Sequence, residues 1–463
     1  MNMLIVNKVY FVGIGGIGMS ALARYFNAQG KKVGGYDKTE TPLTTALEQE
    51  GIEVHYEDNQ IPVWMLEAHH EKCLVVYTPA VPEDNQELQY FRQHGFHVLK
   101  RSEVLGLITQ DAFTIAVAGT HGKTTTSTIL AHVLRSCGVD CTAFLGGVSS
   151  NYNTNLLLSE KGNIVVVEAD EYDRSFLKLT PDIAVITSVD PDHMDVYEDE
   201  EDIKNTFQAF AKRVKQKGIL LVNKHIEVDF EVPEKGTLLS YSADIKADFM
   251  AHHLRIENGK QVFDAQMLDI LPGEVFERGA ESIQLKLPGK HNVENALAAM
   301  AVACQLGAQC DDIVRAIACF DGVKRRYDRH IEGDFVYIDD YAHHPEEVRA
   351  TLSATRLLYP NDEITVVFQP HLFSRTRDFS DEFVAALSLA DEVILLDIYP
   401  ARELPIEGVT SDMLLKKVTA TSKSHLSKEA LLENLSKNKR RVLLTLGAGD
   451  IDQLIEPIKK SYA

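Results

Sequence analysis

One loop has the residue types that bind the phosphates of a nucleotide: Gly119-Thr120-His121-Gly122-Lys123-Thr124-Thr125. It follows the apolar run Phe113–Ala118 and precedes a helical pattern, so backbone N–H groups and the helix dipole favour phosphate oxygens there. Lys123 can reach β/γ phosphates, and a threonine hydroxyl can bind magnesium. The usual P-loop has a glycine where this chain has Val117, yet strand, loop and helix keep their order. The loop therefore predicts a phosphate site.

A second glycine pattern, Gly13-x-Gly15-x-x-Gly18, lies near the N-terminus between the apolar run Val9–Val12 and another helical pattern. Asp37 ends the next predicted strand, where an acid can bind a sugar hydroxyl. The pattern is typical of dinucleotide-binding dehydrogenases. It also fits another nucleotide with a diphosphate, or a tight turn with a purely structural role, so the residues leave the ligand open.

Acidic residues follow two neighbouring predicted strands. Glu168-Ala169-Asp170-Glu171 comes directly after the buried strand Ile164–Val167, and Asp190-Pro191-Asp192-His193-Met194-Asp195 after the strand Val185–Val189. Each group alone is more often a solvated turn or a helix cap. Two such groups at consecutive strand ends after a phosphate loop instead predict ligands for magnesium, which prefers carboxylate oxygens.

The C-terminal third has polar and cationic groups at its predicted strand ends. They are Gly322-Val323-Lys324-Arg325-Arg326, Asp339-Asp340-Tyr341-Ala342-His343-His344-Pro345, Gln369-Pro370-His371 with Ser374-Arg375-Thr376, and Gly447-Ala448-Gly449-Asp450. Such cations can neutralise a transferring phosphoryl group or hold a carboxylate. The histidines lack the spacing of a zinc site, so we expect hydrogen-bonded contacts for several of them.

The elements that position these residues form three α/β units, in keeping with a chain of 463 residues. Strands alternate with helices throughout, which implies mostly parallel sheets that bind ligands at their carboxyl ends. Residues 225–285 have a β-rich pattern, and Asn292–Gly307 reads as a small-residue helix buried nearly all round.

Composition excludes several classes of protein. The 47 Lys+Arg and 68 Asp+Glu leave a net charge of −21, which argues against a nucleic-acid or anionic-membrane surface. No apolar run is long enough to span a bilayer. The six cysteines form no CxxC pair and predict buried, reduced thiols in a cytoplasmic protein: Cys73, Cys137, Cys141, Cys304, Cys310 and Cys319.

The motifs together resemble the Mur ligases of peptidoglycan synthesis. The resemblance covers nearly the whole chain through the phosphate loop, Glu168–Glu171, the Asp192-His193 turn, His291-Asn292-x-x-Asn295, Lys324-Arg325-Arg326 and Asp339–Pro345. It implies an α/β fold of three domains. We expect a Rossmann-like N-terminal domain over 1–105, a central P-loop ATPase domain with a mostly parallel sheet over 106–322, and a Rossmann-like C-terminal domain over 323–463.

The implied reaction joins L-alanine to the lactyl carboxylate of UDP-N-acetylmuramate through an acyl phosphate, using ATP and Mg²⁺. The start Gly13–Ser20, the strand end Val189–His193 and Phe368–His371 favour this substrate pair within the family. An alternative is a ligase that joins the same sugar to an intact murein tripeptide. No nucleic acid or membrane partner is expected, and the protein is expected to be a monomer or homodimer.

The resemblance also implies site residues. The groups expected to take part in catalysis are Lys123, Glu168, His193, Arg326 and His343. Thr124 and Glu168 would bind the magnesium that bridges ATP, and His193 a second magnesium. The nucleotide would contact Gly119, Thr120, His121, Gly122, Lys123, Thr124, Thr125, His291, Asn295, Arg326 and Asp340. Within this set Asn295 is expected at the adenine, Asp340 at the ribose and Arg326 at the phosphates.

For the other substrates, the resemblance places the UDP diphosphate in the first glycine loop. The residues expected there are Gly13, Gly15, Gly16, Ile17, Gly18, Met19, Ser20 and Asp37. Tyr341, His343 and Arg375 would position the alanine. The family often has Arg where this chain has Leu372, so more of the carboxylate binding is expected from Arg375. Because all these ligands are anionic, we expect local cations at the site and most acidic residues on outer surfaces.

Overall fold

The structure is a computed structural model that describes residues 3–191, 196–271, 274–401 and 403–462, without the side chains of 267–271 and 274–278. Its contacts divide the chain into two compact units. The first contains Met1–Met250, Gln266–Arg278 and Asn295–Ala316, and the second contains Ala251–Ala265, Gly279–Glu294 and Ile317–Ala463. No helix among the described residues is both long and apolar enough to cross a membrane.

The N-terminal part of the first unit is a parallel five-stranded sheet with the order β3-β2-β1-β4-β5. The strands are β1 Lys8–Val12, β2 Lys32–Tyr36, β3 Glu53–His55, β4 Cys73–Tyr77 and β5 His97–Lys100. The helices are α1 Ile17–Ala28, α2 Pro42–Gln49, α3 Val63–Leu66, α4 Gln86–Gln93 and α5 Arg101–Thr109, with a short 3₁₀ helix at His70–Lys72. Tyr10 and Phe11 are both fully buried although their side chains leave opposite faces of β1, so both faces of this sheet are covered.

The central sheet of the first unit has the order β12-β11-β10-β6-β9-β7-β8 and is parallel except for the β7–β8 hairpin. Its strands are β6 Phe113–Ala118, β7 Cys141–Ser149, β8 Thr154–Leu157, β9 Ile164–Glu168, β10 Ile183–Ile186, β11 Ile219–Asn223 and β12 Thr237–Ser242. The helices α6 Lys123–Ser136 and α7 Glu200–Ala211 follow β6 and β10, and a 3₁₀ segment covers Tyr172–Lys178.

The β-rich pattern of residues 225–285 is confirmed. After β12 the chain forms three long neighbouring strands, β13 Phe249–Glu257, β14 Lys260–Leu271 and β15 Glu274–Leu285, and β13 starts beside β12 through Tyr241 and Phe249. The helices α8 Lys290–Gln305 and α9 Cys310–Ala318 follow. Residues Ala296–Ala303 of α8 are almost fully buried, as its composition predicts.

The C-terminal sheet lies in the second unit and has the order β16-β17-β21-β18-β19-β20. Only β16 is antiparallel to its neighbour. The strands are β16 Asp328–Ile331, β17 Val336–Asp340, β18 Ile364–Phe368, β19 Glu392–Leu395, β20 Ser422–His425 and β21 Val442–Leu446. The helices are α10 Pro345–Leu358, α11 Phe373–Asp378, α12 Ser380–Leu387, α13 Ser411–Lys417, α14 Lys428–Lys437 and α15 Ile455–Tyr462, with a 3₁₀ turn at Asp450–Leu454.

Two expectations about side chains can be compared with burial. None of the six cysteines, all of which the structure describes, forms a disulfide bond. The prediction that they are buried is wrong for Cys319, which is exposed, and for the half-buried Cys137 and Cys310. The expectation that acids lie mainly on the surface is confirmed. Among the described acidic residues, the buried ones are Glu87, Glu171, Asp339, Asp340 and Glu392.

Candidate active site

The predicted phosphate loop connects β6 to α6, a helix of 14 residues that begins at Lys123. Gly119 has φ +140°, and a methyl group there would overlap the hydroxyl of Thr187, so only glycine fits. Ser188, two residues after the end of β10, holds the loop. Its Oγ accepts a hydrogen bond from His121 N at 2.7 Å and lies 2.9 Å from Thr120 Oγ1. The loop is thus shaped by neutral hydroxyl groups at the carboxyl end of the sheet.

The expected strand Val185–Val189 is shorter than its sequence suggests. β10 ends at Ile186, and the following residues leave the sheet to contact the phosphate loop. Thr187 N donates to Ala118 O at 2.9 Å, and Asp190 N donates to Thr120 Oγ1 at 3.0 Å. Thr187 thus still pairs with the last residue of β6, and beyond it a hydrogen bond to the loop replaces those that would have extended the strand. His193 lies outside the described residues.

Lys123 is bound within its own unit. Its Nζ donates to Gly119 O at 2.6 Å and lies 2.7 Å from a carboxylate oxygen of Glu171, which is 1% exposed. Burial lowers the pKa of Lys123, but the carboxylates of Glu171, Asp170 and Glu168 raise it more, so the ammonium group stays charged. Glu171 is in turn fixed by Tyr197, whose hydroxyl donates to the Glu171 backbone oxygen at 2.6 Å. Lys123, the cation predicted to bind phosphate, is therefore held by Glu171, which lies just after the end of the neighbouring strand β9.

Glu168 ends β9, next to β7 in the sheet. A methyl group on Gly146 of β7 would overlap both carboxylate oxygens of Glu168, so glycine at this position keeps the space that the carboxylate occupies. Thr124, the other described metal ligand that the sequence predicts, is buried in the first turn of α6. A carboxylate and a hydroxyl are hard oxygen donors of the type that magnesium prefers.

The first glycine loop is arranged differently. Gly15 N donates to Asp37 Oδ2 at 2.7 Å, and Asp37 Oδ1 accepts from Thr39 N at 3.1 Å. Gly13 N donates to Tyr36 O at 2.8 Å. Asp37, expected near a sugar hydroxyl, thus fixes the backbone of the loop itself.

Asn155 of β8 connects this loop to the central sheet. Its side-chain amide donates to Ile17 O at 2.6 Å and to Ser20 Oγ at 2.9 Å, and its Oδ1 accepts from Arg24. Asn155 is fully buried. The first turn of α1, which forms the end of the glycine loop, is therefore fixed to the β7–β8 hairpin. Sequence analysis did not find this residue, because an isolated asparagine in a short edge strand has no pattern.

One cavity of about 220 Å³ brings several predicted residues together in the first unit. Its walls include Gly16, Ile17, Gly18 and Met19 from the first loop and Glu168 from β9. Asp170, from the acidic group predicted to bind magnesium, also lines it, as do two residues that sequence reasoning gave no role: Arg101 and Gly146. Arg101 Nη2 donates to Asp170 Oδ2 at 2.9 Å, which places a cation beside the loop. The sequence signal that could have indicated a role for Arg101 was its position directly after β5.

Asn295, expected at the adenine, belongs to the first unit. It is 7% exposed, and its Oδ1 accepts a hydrogen bond from Thr126 Oγ1 at 3.0 Å. This bond ties α8 to the first turns of α6, directly behind the phosphate loop.

In the second unit, Arg326 and Tyr341 lie together. The guanidinium of Arg326 is 5.1 Å from the Tyr341 ring centroid, and that of Arg325 is 5.2 Å from the same ring. Tyr341 also meets His343 edge to face at 5.3 Å, and His343 meets His371 at 5.9 Å. Arg375 is buried near the start of α11. Three segments of the chain thus build one cationic and aromatic cluster, through Arg325 and Arg326, Tyr341 and His343, and His371.

Asp340 and His291 are the strongly shifted titratable groups of this unit that the sequence singled out. Burial raises the pKa of Asp340 to about 6, although Arg326 and the backbone N–H groups of Tyr327 and Ala342 act against the shift. Burial lowers the pKa of His291 to about 4, partly offset by Glu347. His291 is therefore neutral at pH 7, and Asp340 is largely ionised there.

Comparison with known proteins assigns the whole chain to one family. The model of the Mur ligase family catalytic domain matches residues 8–112, that of the Mur ligase middle domain 117–303, and that of the Mur ligase glutamate ligase domain 325–450. UDP-N-acetylmuramate–L-alanine ligases of Parabacteroides distasonis and Flavobacterium psychrophilum are each 50% identical to it. The alignments cover 98% of this chain and 97% of the former protein, and 99% of both chains for the latter.

Solved structures agree with this assignment. The UDP-N-acetylmuramate-alanine ligase of Thermotoga maritima has a TM-score of 0.79 and 28% identity, with 98% of this chain and 99% of that chain covered. The murein peptide ligase of Psychrobacter arcticus has a TM-score of 0.68 at 22% identity, over 98% of both chains, and shares the fold. The predicted three-domain α/β fold is confirmed, and the chain belongs to the Mur ligase family.

Proposed function

We propose that this chain is an ATP-dependent ligase that joins the amine of L-alanine to the lactyl carboxylate of UDP-N-acetylmuramate, releasing ADP and phosphate. This step belongs to the synthesis of peptidoglycan precursors. One observation carries the proposal: the cavity in which the first glycine loop, Arg101 and Glu168 meet, in the unit that also holds the phosphate loop. The names of the full-length relatives support the choice of substrates.

Each proposed domain has one task. Residues 1–105 bind the UDP sugar, with its diphosphate at the loop Gly13–Ser20. Residues 106–322 bind ATP, and residues 323–463 supply Arg326 for the phosphates, Asp340 for the ribose, and Tyr341, His343 and Arg375 for the alanine. Asn295 contacts the adenine and His291 lines the same pocket. We add Arg101 to the sugar-binding set, because it is a cation in the cavity that the glycine loop lines.

The chemistry explains why cations are needed. A carboxylate is a poor acyl donor, so it first takes the γ-phosphoryl group of ATP and becomes an acyl phosphate. Two anions must meet in that step, and Lys123 lowers their repulsion at the β/γ phosphates. Thr124 and Glu168 would hold Mg²⁺, and His193 a second one; the ion supplies further charge neutralisation. The amine then displaces phosphate from the acyl carbon.

The reaction also sets where and how the protein works. ATP and UDP-linked sugars are cytoplasmic metabolites, so we place the enzyme in the cytoplasm. It needs no nucleic acid or membrane partner for this reaction, and we expect it to act as a monomer or homodimer.

Phosphate release from ATP tests the proposal. We expect release only when UDP-N-acetylmuramate and L-alanine are both present. Turnover with the murein tripeptide and none with alanine would support the peptide-recycling reaction instead. Oxidation of NADH without ATP turnover would contradict any ligase activity.

A further inference from the structure

Glu347, in the first turn of α10, contacts two residues of the proposed amino-acid and phosphate sites. Its Oε2 lies 3.2 Å from His343 Nδ1 and accepts hydrogen bonds from His343 N at 3.0 Å and His344 N at 3.2 Å. Its Oε1 lies 3.6 Å from Arg326 Nη1. The carboxylate is largely buried, at 16% exposure. One acid thus joins the histidine to the arginine.

The contacts of His343 determine which ring nitrogen holds the proton. Nδ1 lies 3.0 Å from Tyr341 O as well as 3.2 Å from Glu347 Oε2. A carbonyl oxygen only accepts, and an ionised carboxylate only accepts, so Nδ1 must be the protonated nitrogen in the neutral ring. Nε2 is then the unprotonated nitrogen of the neutral ring and is the atom that gains or loses a proton.

Two further rings lie beside His343. The Tyr341 ring lies 5.3 Å from the His343 ring, and the His371 ring lies 5.9 Å away. Glu347 also faces Arg326 and interacts electrostatically with His291. Asp340 is a second acid that interacts electrostatically with Glu347 and Arg326. Glu347 is the acid in contact with the His343 ring, so it favours a positive charge on His343.

We propose that Glu347 is a positioning residue that keeps the proton on His343 Nδ1, so that His343 Nε2 accepts a proton from the ammonium group of the incoming amino acid. This inference rests on the proposed function. Loss of that proton frees the nitrogen lone pair, which forms the C–N bond at the acyl carbon. The C–O bond to phosphate then breaks, and the second amine proton leaves with the phosphate as hydrogen phosphate. His343 returns its proton to water.

A purely structural role for Glu347 is also visible, because it forms the capping box of α10 with His344. Glutamine serves in a capping box as well as glutamate does. Glu347→Gln therefore keeps the helix cap and removes only the negative charge. Glu346→Gln is the matched control, since Glu346 is an exposed neighbour that pairs only weakly with Arg349, at 3.5 Å.

The test is the pH dependence of kcat/KM for L-alanine. In Glu347→Gln we expect the acidic limb to move about one unit to lower pH, because an imidazolium loses its nearby anion. The plateau kcat should fall roughly tenfold, since a weaker base accepts the proton. KM for ATP should stay within about twofold, and Glu346→Gln should match the wild type in every parameter. An unmoved acidic limb in Glu347→Gln would overturn the proposal.

A second measurement does not depend on turnover. Long-range ¹H–¹⁵N spectra of the full chain with ¹⁵N-labelled histidine report the tautomer, and His343→Asn assigns the signal. A neutral His343 with its proton on Nδ1 supports the proposal, and a proton on Nε2 overturns it. Absence of alanine-dependent phosphate release in the wild type would instead contradict the proposed function.

Discussion

The two glycine loops of the first unit have the same connection of strand, loop and helix but are held by different groups. In the first loop, a carboxylate from Asp37 accepts the N–H of Gly15. In the second, the hydroxyl of Ser188 accepts the N–H of His121, and Lys123 lies at the start of the helix. An anion inside the first loop reduces its affinity for dense negative charge. The second loop adds a cation to neutral donors and suits a triphosphate. The difference teaches that the side chains holding the backbone, more than the glycines, determine which phosphate ligand a loop fits.

Removing the side chain of Lys123 should have the largest effect on turnover, and it tests whether the two glycine loops bind different ligands. In Lys123→Ala we expect kcat to fall by about 10³, because the charge that stabilises phosphoryl transfer is lost. The KM for the UDP sugar, which we propose binds the other loop, should change by less than about twofold. Steady-state phosphate release measures both. Near-normal turnover would contradict the assigned role.

The same variant has a consequence for stability that needs its own control. Glu171 would be left buried without its ammonium partner, at a cost of about 3–5 kcal/mol. The double variant Lys123→Ala/Glu171→Gln removes the unpaired charge. We expect thermal unfolding to show recovery of most of the stability in the double variant while turnover stays low.

Gly146→Ala should have the next largest effect. The added methyl group overlaps the Glu168 carboxylate, which must move away from the position proposed for magnesium. We expect a loss of about 10²-fold in kcat and a higher magnesium requirement. Gly279→Ala is a control, because its methyl group meets nothing closer than 3.8 Å. Retention of the wild-type magnesium requirement in Gly146→Ala would contradict the metal assignment of Glu168.

A pair of smaller changes addresses the comparison directly. Asp37→Asn weakens the hydrogen bond that fixes the first loop. We expect the loss of loop geometry to outweigh the removal of the negative charge, so that the KM for the UDP sugar rises roughly tenfold with that for ATP unchanged. Ser188→Ala removes the acceptor in the second loop, and we expect the reverse pattern at about three- to tenfold. Substrate titrations measure both constants. The comparison fails if either variant raises both KM values equally.

The smallest effect is expected in the second unit, as a change of folding stability with pH. Asp340 has a raised pKa of about 6, so its contribution to stability is lost as pH rises from about 4 to 6. His291 has a lowered pKa of about 4, so its contribution is lost as pH falls from about 6.5 to 4. The two slopes oppose each other in the wild type.

Variants separate the two slopes. Relative to the wild type, Asp340→Asn should gain stability between pH 4 and 6, by at most roughly 3 kcal/mol. His291→Gln should lose stability over the same rise in pH. Melting temperatures at pH 4.5 and 6.5 measure the slopes, and identical slopes for the two variants would contradict the shifts.

Sequence reasoning succeeded where contacts are local. The phosphate loop is seven consecutive residues between an apolar strand and a helix, and the helix α8 has a continuous run of small apolar residues, so both were predicted. The first strand of the N-terminal sheet was visible because Val9–Val12 is an apolar run.

The missed features depend on contacts between distant residues or on weak patterns. Arg101 meets Asp170 across 69 positions, and the role of Gly146 is visible only when β7 lies beside β9. Strand β7 itself was missed because its two consecutive glycines resemble a loop. The edge strand β20 is polar, and its sequence Ser-Lys-Ser-His has no apolar alternation.

The amide of Asn155 has a consequence for building chimeric enzymes from this family. In a chimera, an N-terminal domain joined to another central domain would still contain Ile17 and Arg24. Both of these residues hydrogen-bond to the Asn155 amide in this protein. A recipient hairpin with an apolar residue at that place would lose the hydrogen bonds to Ile17 O and from Arg24 Nη1, leaving Ile17 O its bond from Ser20 and Arg24 its pair with Glu50. Exchange of the N-terminal domain, which we propose binds the sugar, therefore requires that Asn155 be moved together with Ile17 and Arg24.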